Sequence, residues 1–161
     1  MSIDNMTKMV LNLMYNYQKK HNITKQCITN SIYLRDTLLA NDIPSKVKPA
    51  IAVWTTENNE LMVCVHMFVQ YKNNMLDPSF EVFEQDAEYY DKINTVLDMI
   101  KGIDIDKNGI NIKDVIATYL KFIKIAERIN NGECLIGDKK YYHSQADYVE
   151  QYFKRKIINL H

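Results

Sequence analysis

The chain has 161 residues, 47% hydrophobic and 25% charged, a length and composition that suit one globular domain with a sizeable core. Twenty Lys and Arg balance twenty Asp and Glu, so no bulk field selects nucleic acid or a membrane surface as partner. Three cysteines, Cys27, Cys64 and Cys134, are odd in number and widely spaced, which suggests neither a disulfide framework nor a zinc knuckle and fits a reducing, cytoplasmic setting. Met1-Ser2-Ile3-Asp4 does not open a signal peptide, and no apolar run approaches the roughly 20 residues of a membrane span.

In chain order, Met6, Met9, Val10, Leu13, Met14 and Tyr17 recur at helical spacing and predict an amphipathic helix from about Asp4 to Lys19. The methionine stripe reads as core packing. A second helix follows, with Thr24 as its expected N-cap, Cys27 in its first turn and Ile28, Ile32, Leu38 and Leu39 as buried positions. Asn41 is the expected left-handed residue at its end, and Pro44 blocks continuation. The positive end of the helix dipole then faces Cys27, the setting in which a thiol becomes a nucleophile.

Val47 to Trp54 reads as a strand, with Pro49 arguing for an edge position or a bulge. In the strand Leu61–Tyr71, Met62, Cys64, His66 and Phe68 share one face and Val63, Val65, Met67 and Val69 the other. Both faces are apolar, so a central, covered strand is expected. Lys72-Asn73-Asn74 turns the chain into Met75-Leu76-Asp77, and Pro78 holds Asp77 extended. The acidic run Glu81 to Asp91 reads as a solvated face. Helices are expected over Ile93–Lys101 and Ile112–Ile129, a hairpin over Cys134–Tyr142, and a last helix capped by Ser144. Asp104-Ile-Asp106-Lys-Asn108-Gly109 begins like a calcium loop, but its twelfth position is Val115 rather than a bidentate Glu, so it reads as a polar turn. No metal and no cofactor is expected, and the oligomeric state is left open.

Singly, Cys27, His66 and Asp77 each have an ordinary reading: a small buried hydrophobe, a satisfied core imidazole, a turn residue before proline. Together they supply a thiol at a helix start, an imidazole on a strand and a carboxylate on the next, the parts of an activated nucleophile. Asp42-Ile43-Pro44-Ser45-Lys46 after the Cys helix, His66-Met67-Phe68 on a strand and Leu76-Asp77-Pro78-Ser79 resemble the transglutaminase-like cysteine-enzyme core, a permuted relative of the papain-like fold. The resemblance spans about residues 20–83; residues 84–161 would form a helical extension of one domain, 1–161.

That resemblance implies an α+β fold with N-terminal helices, a small antiparallel sheet carrying His66 and Asp77, and a helical C-terminal part. It implies a thiol hydrolase of a peptide, isopeptide or amide bond, with Cys27, His66 and Asp77 as catalytic triad and Gln26 as a candidate oxyanion donor. A protein or peptide would be the substrate. An acyltransferase using the same triad, or an inactive binding module on this scaffold, are the alternatives.

Overall fold

A computed structural model describes residues 3–100 and 111–132. Within them lie five helices and a four-stranded antiparallel sheet, an α+β architecture. In order these are α1 (Ile3–His21), α2 (Cys27–Ala40), β1 (Lys46–Thr55), β2 (Leu61–Tyr71), β3 (Asn74–Leu76), α3 (Phe80–Phe83), β4 (Glu88–Tyr90), α4 (Ile93–Ile100) and α5 (Ile112–Asn130). The strand order is β3-β2-β1-β4.

Strand alternation decides which face is core. Val47, Ile51 and Val53 of β1 and Met67 and Val69 of β2 join Met6, Val10 and Met14 of α1, Ile32, Leu34 and Leu38 of α2 and Ala126 and Ile129 of α5 in two apolar clusters. The opposite face carries His66 and Cys64, set across from Ala50 and Ala52 of β1. His66 and Phe68 are buried there while Met62 is exposed, so β2 is covered on this face at one end and open at the other.

β2 is central where β3 flanks it, over Val69 to Tyr71. Beyond that, α2 takes over the vacated edge: the Ser31 hydroxyl donates to the Met67 carbonyl across 3.1 Å. A buried serine in a helix is thereby satisfied, and so is a strand carbonyl left without a ladder partner.

Pro49 is accommodated by the same geometry. Expected at an edge or a bulge, it lies inside β1, which runs between β2 and β4 in unbroken register with Met67 opposite Pro49. Because the Met67 carbonyl turns toward α2, Pro49 occupies a position that exchanges no hydrogen bonds with β2. Its nitrogen points to the other side, where β4 pairs with Ile51 to Val53 alone and asks nothing of residue 49. Further along that bare margin Asn130 stands in for a strand: its side chain accepts from the Val47 N–H (2.8 Å) and donates to the Val47 carbonyl (2.9 Å).

Several local expectations are corrected. Gln26, not Thr24, occupies the N-cap of α2, and it makes no side-chain capping bond. The left-handed residue after α2 is Asp42 (φ 59), since Asn41 has φ −104. Leu13 and Leu39, expected inside, are 47% and 40% exposed. The acidic run is not one solvated face: it contributes α3 and β4, while Glu84, Asp86 and Glu88 are exposed. The Asp104–Gly109 loop, the Cys134–Tyr142 hairpin and the Ser144 helix lie outside the described residues. No described helix is long and apolar enough to cross a membrane.

Candidate active site

The three residues singled out in the sequence come together. Cys27 is the first residue of α2 and is half-buried. The Cys27 side chain lies beside the His66 imidazole, close enough to raise its affinity for a proton. His66 Nε2 meets Asp77 Oδ1 at 2.9 Å, which engages one of the two ring nitrogens. His66 and Asp77 are 2% and 4% exposed, so this pair operates away from bulk water.

Burial alone would push the His66 imidazole down, yet the hydrogen bonds and negative charges of Asp77 and Cys27 outweigh it and push the group up to about 10. A base whose folded value lies above its ordinary 6.5 stabilises the fold through its bound proton. The sign is then fixed: the contribution is whole below about pH 6.5 and is lost as pH climbs through about 10. Denaturant titrations of the parent and His66→Gln across that window should therefore converge at the alkaline end, by a few kcal/mol. In Cys27→Ala, which removes the interaction of Cys27 with His66, the loss should begin at lower pH. Equal pH dependence in all three chains would refute the assignment.

Asp77 sits just past β3, and the segment 77–81 is gripped from every side. The Asp77 Oδ1 also accepts from the Ser79 N–H (2.9 Å), and Oδ2 accepts from the Tyr89 hydroxyl. Tyr15 of α1 donates to the Asp77 carbonyl. Gln18 spans the next turn, donating to the Pro78 carbonyl at 2.6 Å and accepting from the Phe80 N–H at 2.9 Å. Asn30 of α2 donates to Ser79 Oγ at 3.1 Å. Glu81 accepts from the Lys25 N–H, two residues before the thiol and in the left-handed region at φ 59. One short segment thus holds both the Asp77 carboxylate and the backbone just before Cys27.

Tyr15, Gln18, Asn30, Glu81 and Tyr89 escape sequence reading because their partners are distant and their own helix and strand positions are ordinary. Burial, followed by the charge of Asp77, holds the Tyr15 and Tyr89 phenols well above their usual range, so both remain protonated donors. Cys64 lies close by on the His66 face. Burial first, then the charges of Cys27, Asp77 and Glu81, push its thiol up to about 12. A thiol so placed keeps its proton at neutral pH.

Gln26 precedes the thiol directly, and its Oε1 is buried without a partner among the described residues. A cavity of about 540 Å³ borders Asp77, Tyr15, Phe80, Phe83 and Tyr89. Neither Cys27 nor His66 lines it. Among the described residues no group of three His, Cys, Asp or Glu side chains is placed to hold a metal ion. Comparison of the chain with protein-family models, curated proteins and solved structures yields no match.

Proposed function

We propose that the chain is a cysteine-dependent enzyme on a transglutaminase-like core, cleaving a peptide, isopeptide or amide bond through an acyl-enzyme. One observation carries the reading: His66 Nε2 meets Asp77 Oδ1 at 2.9 Å, and the Cys27 side chain acts on the same imidazole. His66 holds the proton given up by Cys27 before the sulfur attacks the carbonyl carbon, and Asp77 holds the ring and stabilises the imidazolium. The imidazolium then returns the proton to the leaving amine, the acyl group stays on sulfur, and water resolves the thioester. An amine in place of water would make the same site an acyltransferase.

The developing oxyanion is assigned to the Cys27 backbone N–H, in the first turn where a helix offers no acceptor, and to the Gln26 carboxamide beside it. The role of Gln26 rests on that adjacency.

The test is selective labelling followed by a substrate panel. An electrophilic probe should label native protein at Cys27, the label should persist in Cys64→Ser, and it should vanish in Cys27→Ala. Peptide, isopeptide and simple amide substrates, offered with and without an amine acceptor, then separate hydrolysis from transfer. Native protein that takes label only in denaturant would leave a binding module as the better description.

A further inference from the structure

Tyr89 reaches the site from the far margin of the sheet. β4 is one edge and β3 the other, and Asp77 follows β3, yet the Tyr89 hydroxyl donates to Asp77 Oδ2 across 2.5 Å. The strand between them makes the reach feasible. Ala52 pairs with Tyr89 on one side and Cys64 on the other, and Ala50 pairs with His66, so β1 presents two methyl groups beneath the long side chains. The Tyr89 ring rests near His66 and Phe68, with centroids 6.1 and 6.4 Å apart. It also lines both the 540 Å³ cavity and a second one of about 240 Å³.

The oxygens of Asp77 are divided by this contact. Oδ1 serves His66 Nε2 and the Ser79 N–H, while Oδ2 serves Tyr89. A carboxylate held at one oxygen turns easily about its last bond; one held at both presents a fixed lone pair to the ring.

The geometry points to Tyr89 as a positioning residue of this site, acting through Asp77 to hold the His66 ring in the orientation that serves Cys27. The assignment rests on the nucleophile–base reading given above for its functional meaning, but its physical content is separate. What Tyr89 fixes is the His66–Asp77 hydrogen bond, which can be observed without any substrate. Tyr90 supplies an internal control: its hydroxyl donates to Glu88 on the same strand, away from the relay.

The experiment compares the parent chain with Tyr89→Phe and Tyr90→Phe, each first checked for cooperative thermal unfolding. The downfield proton of the His66 Nε2–H is followed by NMR, and the rate of Cys27 alkylation by iodoacetamide is measured in mildly acidic solution. Tyr90→Phe should match the parent in both. Tyr89→Phe should lose or broaden the proton signal and slow alkylation about tenfold, the scale of one lost hydrogen bond to a charged group. A Tyr89→Phe chain with the parent's signal and the parent's rate overturns the proposal. If the parent itself resists alkylation, the catalytic reading fails, and the proton signal alone still decides whether Tyr89 fixes the pair.

Discussion

Replacing His66 by alanine should slow alkylation of Cys27 in mildly acidic solution by about 100-fold or more, the lower range of what a positioned base contributes. The imidazole is the group within reach of the thiol, and it is tuned to keep a proton once it has one. Without it the proton must leave to solvent, so the gap should close as the medium becomes alkaline and hydroxide takes over. Rates measured by mass spectrometry on intact chains, from mildly acidic to alkaline pH, check both halves of the expectation. A pH-independent ratio near one would show that Cys27 reacts without His66.

Asp77→Ala should be the most damaging substitution to the fold as well as to the chemistry, costing about 3–5 kcal/mol. Its carboxylate accepts from His66, from the Ser79 N–H and from Tyr89, all in a region that solvent hardly enters. Truncation leaves those donors without acceptors and leaves His66 without its ion partner. Asp77→Asn keeps the shape and an acceptor oxygen, so it should recover part of the stability while remaining slow in labelling. Denaturant midpoints for the two variants check this; equal, small losses would mean that Asp77 orients the ring and supports little else.

Much of this fold is visible in the text of the chain because its periodicities are strong. The alternation along Leu61–Tyr71 gives both faces of β2, and the spacing of Val115, Tyr119, Phe122 and Ala126 gives α5. The candidate site is legible because its thiol, imidazole and carboxylate fall on a helix start, a strand and the residue just past the next strand. What stays hidden is short or long-range. β4 is three residues inside an acidic run, where charge masks the alternation of Tyr89 and Tyr90. Pro49 misleads because a strand's edge is a property of each position, not of the whole strand: β1 is flanked at Ile51 and bare at residue 49. Leu13 and Leu39 match a helical stripe without facing the core, since α1 and α2 bury other arcs of their surfaces.

The grip of α1 on the Asp77 segment has a consequence for the order in which the candidate site is assembled. Tyr15 and Gln18 hold residues that follow them by 62 and 60 positions, contacts of high sequence separation. Such contacts close late, because the entropy of the intervening loop must be met before they form. During synthesis the thiol emerges well before the carboxylate, and a chain that has made β2 but not yet docked Asp77 beneath α1 carries an unassisted cysteine. On the reading proposed above, the assistance that Asp77 gives His66 is thereby tied to completion of the tertiary structure.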